Sequence, residues 1–202
     1  MSNKLNHSKI VSLTTLGVLA ALIVVMAFTP LGYLKVGALS ITFLMIPVVI
    51  GAIIVGPVGG AVLGGVFGLT SFIQCFGMDA FGTALADINI FYCAIMCFVS
   101  RILAGFLAGV VFRLVDKIDK SRVVSFGAAS LTGALLNTVF FVFFLIVLFG
   151  RTEFVKSFGD SVIAIIAALV SVNSIIESVV CLFVGAAISK ALVVFLPKKA
   201  AE

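Results

Sequence analysis

The stretch "SVNSIIESVV", residues 171–180, carries Asn173 and Glu177 four positions apart inside a long apolar run. On a helix that spacing sets an amide and a carboxyl on one face. Polar groups inside a membrane are costly, so they need partners and often mark a ligand path. Two other apolar runs each carry one such residue, Arg101 and Asn137. Arg101 lies twelve residues after Asn89, Asn137 thirteen before Gly150, and Asn173 thirteen after Asp160. At about 1.5 Å per residue these positions are roughly 18–20 Å along their helices, with Glu177 one turn deeper. Amides that donate and accept, beside a carboxylate, suit a polar ligand bearing hydroxyls or amides. Arg101 could hold a ligand carboxylate through a bidentate pair. The same residues also allow Arg101 and Glu177 to pair and lock the bundle, and a pair at the floor of a site would still orient a ligand.

A second polar cluster, "TSFIQCFGMDAFGTALADIN", places Thr70, Ser71, Gln74, Asp79, Thr83, Asp87 and Asn89 among Phe72, Phe76, Phe81 and Phe91. Aromatic walls with a few polar groups fit a pocket rim, so Gln74, Asp87 and Asn89 join the candidate ligand set. A solvated loop with interfacial aromatics has the same composition. Upstream, "TPLGYLKVGALS" has Gly32 and Gly37 around Tyr33 and Lys35. Those glycines are candidate hinges for a lid.

The elements that must position these residues follow from composition. The chain has 202 residues, 63% hydrophobic and 10% charged. A soluble domain is about a quarter charged and under about half apolar. Unpaired strands fail in lipid because their backbone groups lack partners, and no period-two alternation suggests a barrel. The expected fold class is an all-α membrane protein, a bundle of six transmembrane helices forming a single domain over 1–202. The spans are about 9–29, 39–55, 58–76, 90–114, 124–149 and 161–192, with "GPVGG" as a tight turn between the second and third. The first span is too long for a signal-peptide core and no cleavage site follows it.

Basic residues set the orientation. Lys4, Lys9, Arg113, Lys117, Lys120, Arg122, Lys190, Lys198 and Lys199 fall on one side, nine of the thirteen in the chain. Both termini are then cytoplasmic. The same asymmetry explains the net charge of +5 without a nucleic-acid partner. Gly56, Gly60, Gly64 and Gly68 form a ridge on the third span, and Gly105 and Gly109 repeat the spacing on the fourth. Small residues at that interval let neighbouring backbones approach closely. Gly17 and Ala21 give the first span a small face suited to packing or to an external partner. Cys75, Cys93, Cys97 and Cys181 read as small membrane residues rather than as a disulfide or metal set, because no His or carboxylate accompanies them. His7 precedes the first span and reads as a solvated terminal residue. There is no H-E-x-x-H, G-x-S-x-G or Walker A pattern, so the expectation is a non-enzyme with no cofactor and no ATP hydrolysis of its own.

The block "ITFLMIPVVIGAIIVGPVGGAVLGGVFGLTSF", together with the size and six spans, resembles the substrate-binding S components of energy-coupling factor (ECF) vitamin transporters. Gly17 and Ala21 resemble the A-x-x-x-A face with which S components dock, with glycine in place of the first alanine. "FGLTSFIQ…GTAL", "GALLNTVFF" and "SVNSIIES" look most like the pantothenate-type branch; the riboflavin, folate and pyridoxine branches share the scaffold. The resemblance implies a vitamin bound from outside in a pocket of the last three helices and closed by the outer loops. It implies docking through the first helix on the membrane coupling protein EcfT, driven by two cytoplasmic ATPase subunits, and toppling of the whole component to release substrate. Pantothenate has a carboxylate, two hydroxyls and an amide, which would suit Arg101 with Asn137, Asn173 and Glu177. The alternatives are a stand-alone secondary transporter or channel with Glu177 as its titrating group, and a membrane enzyme or assembly factor.

Overall fold

The computed structural model describes residues 2–30, 32–36, 39–119, 123–158, 177–185 and 187. Its elements run α1 (Ser2–Ala27), β1 (Tyr33–Val36), β2 (Leu39–Thr42), α2 (Met45–Ile54), α3 (Pro57–Gln74), α4 (Ala80–Ile88), α5 (Ile90–Asp116), α6 (Val123–Phe149) and α7 (Glu153–Lys156). A helical turn at 177–180 then passes into a π-helical turn, Cys181–Gly185. Most of the proposed sixth span, including Asn173, lies outside the described residues. Among the described residues, four helices are long and apolar enough to cross a membrane: Lys9–Ala27, Pro57–Gln74, Ile90–Asp116 and Val124–Phe149. The chain is a multi-pass, helical membrane protein.

Residues expected to open the second span form a strand instead. β1 and β2 pair antiparallel, with Tyr33 opposite Thr42 and Val36 opposite Leu39. β-branched Val36, Ile41 and Thr42 favour the extended backbone. The Phe43 amide donates to the Gly32 carbonyl at 3.0 Å and closes the base of the hairpin. α2 therefore starts at Met45. Its ten residues rise about 15 Å, half the depth of a hydrocarbon core. Met45 through Ile53 are all buried, which accounts for a helix apolar on every side.

The glycine ridge places α3 against α5. A Cβ at Gly60 would strike the Gly105 carbonyl oxygen, and one at Gly105 would strike that of Gly60. A Cβ at Gly64 would strike the Arg101 carbonyl oxygen, and one at Gly68 would lie 2.8 Å from that of Cys97. α3 starts sharply because Gly56 adopts a φ of 101° and Pro57 follows at the first helical position. At the other end of α5, Asn89 caps the helix by accepting from the amides of Phe91 and Tyr92 at 3.0 and 3.2 Å. The outer segment expected as a loop contains α4, capped by Asp79 Oδ2, which accepts from the Gly82 amide at 2.8 Å. Leu19, Ile23 and Ala27 turn one stripe of α1 inward, while Gly17, Val18, Ala21 and Val25 stay exposed.

Gly60→Val should lower the thermal unfolding midpoint in detergent, with a cost of about 1–3 kcal/mol from overpacking against backbone. Gly17→Ala, where a Cβ meets nothing within 4 Å, should stay within about 0.5 kcal/mol of wild type. Equal midpoints for both variants would contradict the close α3–α5 contact.

Candidate functional site

Three of the polar residues on the deep apolar helices converge. Arg101, Asn137 and Glu177 are all buried. The Arg101 guanidinium carbon lies 5.3 Å from the Phe67 ring centroid on α3 and 5.4 Å from that of Phe141 on α6. Asn137 stands one turn before Phe141 on the same face of α6. Its Nδ2 donates to Glu177 Oε1 at 3.5 Å, joining α6 to the last described helical turn. Glu177 lies within electrostatic reach of Arg101 and of the Thr42 backbone at the end of β2. The hairpin therefore reaches the same polar set.

The hydrogen bonds inside this set are incomplete. Arg101 Nη1 donates to Ser100 Oγ at 2.9 Å and to the Met96 carbonyl at 3.3 Å. Arg101 Nε and Asn137 Oδ1 are buried and have no partner among the described residues. Arg101 and Glu177 form no direct ion pair among the described residues: the guanidinium is turned to Ser100 and Met96, the Glu177 carboxyl to Asn137. An unpartnered donor and an unpartnered acceptor, both desolvated, are groups a polar ligand can complete. Two aromatic rings over a cation add attraction without consuming a hydrogen bond.

The outer candidates sit elsewhere. Gln74 Nε2 donates to the Ala27 carbonyl and ties the end of α3 to the end of α1. Asn89 is the α5 cap, and Asp87 is exposed on α4. The structure does not bring these three to the guanidinium through any hydrogen bond among the described residues. It adds Phe67, Phe141, Ser100 and the Thr42 backbone, which sequence reasoning missed. The adjacent pair Ser100–Arg101 was a visible signal for one of them; the ring contacts arise only from packing. A groove of about 440 Å³ lined by Val55, Phe106, Arg113 and Lys117 opens at the basic end of α3 and α5, away from the set. Arg113 is twelve residues beyond Arg101, about 18 Å along the helix.

Comparison with known families assigns this architecture. Residues 11–189 match the family model described as "ECF transporter, substrate-specific component". The chain belongs to that family. A relative from Leuconostoc mesenteroides subsp. mesenteroides, named Pantothenate transporter PanT, is 31% identical over 96% of this chain and 95% of its own length. As an ECF substrate-specific component, this chain is a subunit for vitamin uptake, a transport protein and not an enzyme.

Asn137 and Glu177 should be energetically coupled in this S component. A double-mutant cycle of Asn137→Ala and Glu177→Ala on thermal stability should return about 0.5–1.5 kcal/mol of coupling. Strict additivity would mean the two side chains do not share a hydrogen bond.

Proposed function

We propose that the chain is the high-affinity pantothenate-capturing subunit of an ATP-driven ECF importer in the cell membrane. The observation that carries this reading is the unpartnered Nε of buried Arg101 beside the Asn137–Glu177 pair. Arg101 receives the pantothenate carboxylate as a charge-assisted bond. Asn137 Oδ1 accepts from a substrate hydroxyl or amide N–H, and Glu177 accepts from a hydroxyl. Asn173, four residues before Glu177 in the sequence and outside the described residues, completes the ligand set in this reading. Gln74, Asp87 and Asn89 belong to the outer rim through which substrate enters. The name of the 31%-identical relative favours pantothenate over riboflavin, folate or pyridoxine.

The nearness of the Thr42 backbone to Glu177 gives the hairpin a role in this reading. It acts as a lid whose base lies beside the group that binds substrate. In this reading the chain crosses the membrane six times, with both termini in the cytoplasm. Gly17 and Ala21 form a small exposed face on α1 that docks on the membrane coupling protein EcfT, and two cytoplasmic ATPase subunits supply the energy for release.

Purified protein should bind pantothenate without ATP at submicromolar affinity. Arg101→Ala should weaken binding by about 10- to 100-fold, the loss of one hydrogen-bonded charge contact. Pantothenol, which carries an alcohol in place of the carboxylate, should bind wild type more weakly and Arg101→Ala no differently from pantothenate. A variant that keeps full preference for the carboxylate would remove Arg101 from the site. Uptake in cells tests the docking face separately: Gly17→Trp and Ala21→Trp should abolish transport and leave binding intact, and transport surviving both would exclude that face.

A further inference from the structure

A second cluster of chemically capable side chains lies outside the polar set. Cys75 follows the last residue of α3, and Cys93 and Cys97 stand one turn apart on α5. Their sulfur atoms lie within 4.8 Å of one another, and the Cys75 and Cys93 sulfurs are 3.5 Å apart. All three are buried and none is in a disulfide. The sequence places Cys93 and Cys97 on one face but separates Cys75 from Cys93 by eighteen residues. The glycine ridge closes that gap, with Gly68 packed on the Cys97 backbone.

The spacing matches one ion shared by three sulfurs. Metal–sulfur bonds of about 2.3 Å in a trigonal plane put the sulfurs roughly 4.0 Å apart, inside the observed range. The surroundings restrict which ion. Phe81, Leu85, Leu145 and Phe149 share the same buried cluster. No carboxylate or imidazole joins the three thiols among the described residues. Calcium and magnesium need oxygen ligands, and structural zinc takes a fourth protein ligand. A soft, three-sulfur, apolar site selects monovalent copper.

We propose that Cys75, Cys93 and Cys97 form a trigonal binding site for one Cu(I) ion. Two thiols lose their protons to solvent as copper–sulfur bonds form, and the third binds as a neutral thiol. The ion enters and stays as Cu(I), so no electron is transferred. The site then carries one net negative charge. Arg101, one turn beyond Cys97 on the same helix, supplies the nearby positive charge. An ion held there ties the end of α3 to α5.

The test uses the full chain in detergent, reduced and free of oxygen, titrated with Cu(I) against a Cu(I)-specific chelator. One Cu(I) per chain is expected. Cys93→Ser and Cys97→Ser should each weaken binding at least tenfold, and Cys181→Ser should leave it unchanged. X-ray absorption at the copper edge of the wild-type protein should show a shell of three sulfurs, which decides the matter if the serine variants fail to fold. Copper affinity insensitive to Cys93→Ser and Cys97→Ser, a shell containing nitrogen or oxygen, or a Cys75–Cys93 disulfide with no retained copper would each overturn the proposal.

Discussion

A guanidinium inside a membrane bundle is the constraint on which the rest of this structure depends. On insertion scales an arginine at mid-membrane costs about 2.5–3.5 kcal/mol, and its charge cannot be shed. Arg101 is nonetheless buried on α5, and the packing around it reads as a set of answers to that cost. Two phenylalanine rings face the cation, a serine and a main-chain carbonyl take Nη1, and a carboxylate on the last described helix lies within electrostatic reach. Nε has no partner among the described residues. A fully satisfied arginine would serve only as a staple; one with a donor to spare can bind something.

Holding that donor in place requires rigid backbone nearby. The α3–α5 contact supplies it, since Gly64 rests directly on the carbonyl of Arg101 itself. Replacing any side-chain layer there with backbone-to-backbone packing removes the rotamer freedom that would let α5 slide or rotate. The same contact carries Phe67 to the guanidinium from α3. From the opposite side, α6 presents Asn137 and Phe141 one turn apart, so one helix face delivers both an amide and a ring. The β1–β2 hairpin approaches from a further side, where the Thr42 backbone comes within electrostatic reach of Glu177.

Much of this is legible in the sequence. The long helices α3, α5 and α6 were visible as apolar runs bounded by Gly-Pro, Asn and basic clusters, because length and hydropathy dominate in lipid. Counting residues inward placed Arg101 and Asn137 at a common depth, since helical rise is nearly constant. Other features were illegible for physical reasons. The strand at Leu39–Thr42 is as apolar as a span, and only pairing with Tyr33–Val36 distinguishes it. α4 is nine residues long and announces itself mainly through the Asp79 cap. Gln74 looks like a ligand residue in sequence, yet its amide is committed to the Ala27 carbonyl, a contact forty-seven residues away in the chain. Long-range pairings of that kind, like Cys75 with Cys93, are set by how helices dock and leave no periodic trace.

The most direct measurement is mass spectrometry of whatever small molecule copurifies with the protein from cells and is released on denaturation. The account predicts about one equivalent of a carboxylate-bearing vitamin with the mass of pantothenate. A flavin or pyridoxine at stoichiometric yield would contradict it, because neither offers Arg101 the carboxylate its free donor is held to receive.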